Sequence, residues 1–160
     1  MDHSTTGMMI DPEGINHAAH YNRHPSGVEC IVVKRMLGSN MADAFKYVTR
    51  RDEKGTAYKD LGKAVWYMTD ETSNIGLVPF VTLTGSALEV VLESLWAYRD
   101  AEPVEAARTF FDGLVRYVCA ETPVARVEII HDCIHAVEQL RADYAADQFH
   151  ESPVPPRPAL

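Results

Sequence analysis

"GVECIVVKRML", residues 27–37, decides the fold, because helix and strand can both claim it. Ile31, Val32 and Val33 are β-branched and favour a strand, where such side chains pack well on a pleated surface. The residues just before them argue the other way. Ser26 and Glu29 have the spacing of a capping box, in which each side chain satisfies a backbone N–H of the first helical turn. Helical patterns follow, so the stretch is assigned to a helix.

Outward from there, Asn40 is placed to cap a second helix running to about Arg51. Met41, Ala44, Phe45 and Val48 follow the i, i+3, i+4, i+7 rule and give it one apolar face. "DEKGT" interrupts the pattern, with Gly55 as the stop. A third helix, from Ala57 to about Asp70, buries Leu61, Ala64, Val65 and Met68. "TSNIGLVPFVTLTGS" reads as a connector, since Pro79 weakens any strand there. Residues 86–100, 103–121 and 123–147 carry helical periodicity, the last two with a proline near the first turn. The expected fold is all-α: a helical bundle with an irregular N-terminal arm and a mobile proline-rich tail, "ESPVPPRPAL". One domain over 1–150 is expected, with 16–72 as one core, 84–148 as C-terminal helices and 151–160 as the flexible tail.

Composition narrows the function classes. The chain has 160 residues, a 46% apolar share and a formal net charge of −8. Such a balance argues against a nucleic-acid partner, which calls for a basic surface that displaces counterions from phosphates. Cys30, Cys119 and Cys133 are odd in number and form no CxxC pair, which points to a reducing compartment. No signal peptide or membrane-spanning run is legible, so a cytoplasmic location and no membrane partner are expected.

The charge is unevenly spread. From Gly76 onward there are 6 Lys/Arg against 13 Asp/Glu, whereas the first 75 residues hold 9 against 10. Six of those nine basic residues, Lys46, Arg50, Arg51, Lys54, Lys59 and Lys63, lie between positions 46 and 63. At about 100° per residue, Asp43, Tyr47 and Arg50 share one stripe of the second helix, joined by Lys54 only if the helix reaches it, with Lys46 beside it. Asp60, Lys63 and Tyr67 form a matching stripe on the third. If the two helices pair as a hairpin, both stripes border one cleft of cations suited to phosphate oxygens. Tyr47, Tyr67 or Trp66 then stack on a base, and Asp43 and Asp60 orient the cations or bind a ribose hydroxyl. The plain alternative is a solvated charged face, in which Asp60–Lys63 is an ordinary helical ion pair worth ~0.2–0.5 kcal/mol.

Four blocks extend this reading. "INHAAHYNRHPSGVECIVV", "DAFKYVTRR" and "KDLGKAVWYM" contain His20, Tyr21, Gly27, Glu29 and Cys30, then Ala44, Lys46, Tyr47 and Arg50, then Asp60, Leu61, Lys63, Ala64, Trp66 and Tyr67. In that order they resemble the phage nucleotide-kinase-like family over roughly Asn16 to Thr72. The resemblance implies an oligomeric phage enzyme, working in the host cytoplasm, that moves phosphate from ATP or another nucleoside triphosphate to a deoxynucleoside monophosphate, with magnesium. It makes Lys46, Arg50, Lys63 and Glu29 the catalytic set. It puts His20, Tyr21, His24, Ser26, Gly27, Asp43, Tyr47, Asp60, Trp66 and Tyr67 at the substrate. Asp43 stands where the family has asparagine, and Thr49 where it has an aromatic residue.

No Walker A loop is present, so a kinase site here has to be built from helical side chains rather than a backbone cradle. Phosphoryl transfer tolerates that, because its catalysis is mostly positioning and charge stabilisation. Two other readings compete: an all-α nucleoside triphosphate pyrophosphatase, and a non-catalytic nucleotide-binding or host-interaction protein whose second half forms an oligomer interface. The first asks for a Glu-x-x-Glu cluster, which is missing between Glu29 and Asp70. "HDCIH" invites a metal site at His131 and His135, yet solvent-facing histidines beside a core stripe are the preferred reading. No metal ligand is assigned.

Overall fold

The computed structural model describes residues 24–77 and 79–146, and the N-terminal arm, His17, His20, Tyr21 and the C-terminal tail lie outside that range. Among the described residues six helices run in order: α1 (Cys30–Lys34), α2 (Ser39–Thr49), α3 (Ala57–Ser73), α4 (Gly85–Ala101), α5 (Glu105–Cys119) and α6 (Pro123–Asp143). The described residues contain no strand, so the all-α expectation holds. No helix among them is long and apolar enough to cross a membrane.

The β-branched run is helical because burial follows a helical period. Cys30, Val33 and Leu37 are buried while Ile31 is exposed. Five residues make too short a helix to stand alone. Packing against α2 and α4 holds α1 in place. The expected capping box does not form. Gly27 has φ +71°, in the left-handed region, and this turns the chain before any helix can start. Ser26 Oγ accepts from the nearby Val28 N–H at 3.2 Å instead, and α1 begins only at Cys30.

In α2, Met41, Ala44, Phe45 and Val48 are all fully buried, as the periodicity requires. Asn40 is not its cap. The helix starts at Ser39, and Asn40 Nδ2 reaches across to donate to Asp70 of α3 at 2.9 Å. It ends at Thr49, short of the expected Arg51, so Lys54 leaves the stripe and stands exposed in the turn. In α3, Leu61, Ala64 and Met68 are buried as expected. Val65 is only half-buried, and Asp60 and Glu71 take inward positions.

Helix α2 pairs with α3, α3 with α6, α6 with α5 and α5 with α4, so the bundle closes around one core. Phe45, Tyr98, Phe110 and Phe111 stack edge-on or tilted within it, with ring centroids 4.9–6.1 Å apart. Tyr98 also donates its hydroxyl to Val28 O at 2.6 Å, tying the segment before α1 to α4. Thr122 caps α6 by accepting from the Ala125 N–H at 3.2 Å, and Pro123 opens the helix.

A glycine on α5 leaves room for a side chain of α6. A β-carbon on Gly113 would run into Cys133 Sγ, which is itself buried. Gly113→Ala is therefore expected to cost about 1–3 kcal/mol through overpacking, read as a lower midpoint in chemical denaturation. Adding Cys133→Ala should restore most of that loss. A double variant as unstable as the single one would show that the collision is not the cause.

Candidate functional site

The α2–α3 hairpin brings both polar stripes together on one tyrosine ring. Lys46 Nζ lies 4.7 Å, Arg50 Cζ 4.6 Å and Lys63 Nζ 4.9 Å from the centroid of Tyr47. Tyr67 stacks on the same ring at 5.9 Å with a 15° tilt, and Trp66 meets Tyr67 edge-on at 5.0 Å. Trp66 is 62% exposed, so its ring is open to a flat partner. The three cations converge. Nothing in the spacing alone required this, because it depends on the turn that follows α2.

Three positive groups around one ring repel one another. Cation–π attraction offsets part of this, and carboxylates offset more. Asp43 accepts from Lys46 at 2.7 Å and also lies 3.8 Å from Lys34. Asp60, buried, accepts from Lys63 at 2.9 Å and lies 3.9 Å from Arg50. Two carboxylates thus share four cations. The pairing also gives Asp43 and Asp60 their place: they hold the cations in position. The sequence reading missed Lys34 as a member of this group.

Behind the cluster lies a small hollow lined by His24, Cys30, Lys46, Thr49, Arg50, Glu53 and Tyr98. His24 Nε2, Arg50 Nε and Glu53 Oε2 are buried there without a hydrogen-bond partner among the described residues. His24 is held by its neighbours. Its Nδ1 accepts from the Ser26 N–H at 3.2 Å, and its ring packs 4.3 Å from that of Tyr98. Burial pushes the Tyr98 phenol far above its usual range, so it acts as a fixed donor. Ser26 and Gly27 form the turn that carries His24, while Glu29 sits at the N-cap of α1.

Arg51, counted with the basic window, belongs to a different structure. It is buried and donates twice to Glu102, at 2.7 and 2.9 Å. It also donates to Val48 O at 3.0 Å and to the Tyr144 hydroxyl at 3.3 Å. His24 Nε2 lies 3.7 Å from the same Glu102. Burial alone would raise the Glu102 carboxyl, but the imidazole and guanidinium beside it outweigh that and hold it below its usual range. This pair fastens the turn after α2 to the end of α4. Lys54 and Lys59 are exposed and lie outside the cluster.

On α6, His131 and His135 are exposed, as the preferred reading had it. Asp132 pairs with Arg116 at 2.8 Å, and His135 meets Gln139 at 3.1 Å. All three cysteines are free.

A family model described as a protein of unknown function, DUF3310, matches residues 15–69. That stretch contains α2, α3 as far as Thr69, and all three converging cations. The match carries no kinase assignment, which corrects the resemblance to a nucleotide-kinase-like family: the blocks that suggested it fall under a family with no stated activity. No curated protein and no solved structure matches the chain.

Proposed function

We propose that the α2–α3 cluster binds a nucleotide and that the chain moves a phosphoryl group from a nucleoside triphosphate to a deoxynucleoside monophosphate. The observation that carries this reading is the convergence of Lys46, Arg50 and Lys63 on the Tyr47 ring, each within 5 Å of its centroid. Like charges gathered this tightly favour an anion among them, and phosphate oxygens accept from lysine and arginine in charge-assisted bonds. The open Trp66 ring beside Tyr67 offers a stacking surface for a base.

The chemistry makes few demands on the protein. A monophosphate oxygen is already anionic and needs no general base to attack the γ-phosphorus. The bond from that phosphorus to the β-bridging oxygen breaks, and the nucleoside diphosphate leaves. Lys46, Arg50 and Lys63 then neutralise charge on the transferring group, while Asp43 and Asp60 keep them oriented. Magnesium would arrive bound to the triphosphate.

Incubation with ATP and each deoxynucleoside monophosphate tests the reaction. Deoxynucleoside diphosphate products support it. Pyrophosphate released from a triphosphate alone would replace it with a pyrophosphatase, and binding without turnover would leave a nucleotide-binding protein.

A further inference from the structure

The two carboxylates of the cluster hold their cations differently. On Asp60 the cations take separate oxygens: Lys63 Nζ donates to Oδ1 at 2.9 Å, and Arg50 lies 3.9 Å from Oδ2. On Asp43 both cations face the same oxygen. Lys46 Nζ donates to Oδ1 at 2.7 Å, while Lys34 Nζ stands 3.8 Å from it, too far for a hydrogen bond. Solvent and ligands can reach all three groups, because the side chains of Lys34, Lys46 and Asp43 are 26%, 18% and 25% exposed.

Lys34 comes to this place from another helix. It is the last residue of α1, whose Cys30 and Val33 are buried and which packs against α2. Its stem is unbranched and flexible and carries three rotatable donors. A movement of about 1 Å would bring its ammonium to hydrogen-bond distance of Asp43 Oδ1, and the side chain can make it without a shift of the backbone.

A bound phosphate changes the balance at Asp43. A phosphate oxygen accepting from the Lys46 ammonium comes to about 4.5 Å from Asp43 Oδ1, since the two N–H bonds diverge at the tetrahedral angle. Two anions at that range repel each other, the more so away from bulk water, and one ammonium cannot neutralise both. Arg50 and Lys63 are engaged by Asp60. Lys34 is the cation already beside the oxygen in question. Resting on the nucleotide reading above, we infer that Lys34 is a positioning residue for that site. When phosphate engages Lys46, the Lys34 ammonium closes onto Asp43 Oδ1 and takes over its charge, which releases Lys46 to the ligand. Lys34 itself does not touch the phosphate.

The test is a double-mutant cycle on the full chain, read by calorimetric titration with each deoxynucleoside monophosphate and by the ¹⁵N-lysine ammonium resonances. Lys34→Met keeps the length of the side chain and removes the charge. It should weaken binding about tenfold, the low end for a hydrogen bond to a charged group, because the pair is partly exposed. Lys34→Arg should recover most of that loss. In an Asp43→Asn background Lys34→Met should change affinity less than about twofold, because no carboxylate is left to neutralise. On adding the monophosphate, the Lys34 ammonium should become protected from exchange in the wild type and not in Asp43→Asn. A static brace between α1 and α2 would show no such ligand-dependent change. Unchanged affinity in folded Lys34→Met, or a Lys34 resonance indifferent to bound ligand, would overturn the inference. So would an equal loss or equal protection in the Asp43→Asn background, which would make Lys34 a direct phosphate contact. Each of these outcomes leaves wild-type binding intact and the nucleotide reading standing. A wild type that binds no monophosphate would overturn both.

Discussion

Replacing Glu102 with alanine is expected to destabilise the fold by about 3–5 kcal/mol, the range for removing one partner of a buried ion pair. The side chains of Arg51 and Glu102 are 3% and 4% exposed, so the arginine left behind would have little water to turn to. Its other hydrogen bonds, to Val48 O and Tyr144, go to neutral groups, and Asp52, 3.7 Å away, is exposed to water and balances the charge only in part. Denaturant unfolding followed by circular dichroism measures the loss. A cost under about 1 kcal/mol would place the pair among weak surface contacts and undo its role as the fastener between α2 and α4.

The same pair sets an acid limit. Glu102 in the folded chain is held below its ordinary value of 4.5, so its contribution is fully present above about pH 4.5. The contribution falls away as pH drops through the depressed folded value, because the unfolded chain then binds the proton first. Glu102→Gln cannot titrate. Its stability curve should therefore be flatter than the wild type's on the acid side.

Arg50→Ala is the second large effect. Arg50 has its guanidinium over Tyr47, faces Asp60 and lines the hollow with His24. Hydrogen bonds to charged groups are worth about 1.5–3 kcal/mol, so nucleotide affinity should fall on the order of 10- to 100-fold. Turnover should fall at least as far if the contact tightens in the transition state. Arg50→Lys should recover part of the affinity, since it keeps the charge but not the fork. Full turnover in folded Arg50→Ala would remove Arg50 from the chemistry.

What could be read from the chain beforehand followed local periodicity. The α2 face at Met41, Ala44, Phe45 and Val48 is a pattern within one helix, and all four are buried where the pattern put them. The cation stripes were legible for the same reason. Their meeting on Tyr47 was not, because it depends on how the turn at residues 50–56 folds α3 back. Local rules failed where a tertiary partner outcompeted them. Asn40 had the chemistry of a cap, but Asp70 on the next helix took its side chain. Ser26 and Glu29 had capping-box spacing, but the positive φ of Gly27 put a turn between them. Arg51 looked like its neighbour Arg50, since nothing nearby announces a carboxylate 51 positions later in the chain.

The central claim is that Lys46, Arg50 and Lys63 together grip a phosphate. Calorimetric titration with each deoxynucleoside monophosphate and with its unphosphorylated nucleoside tests this most directly. At least one monophosphate should bind on the order of 100-fold more tightly than its nucleoside, and Lys46→Ala should erase most of that difference. Equal binding of the two, or no binding of any monophosphate at millimolar concentration, would contradict the account.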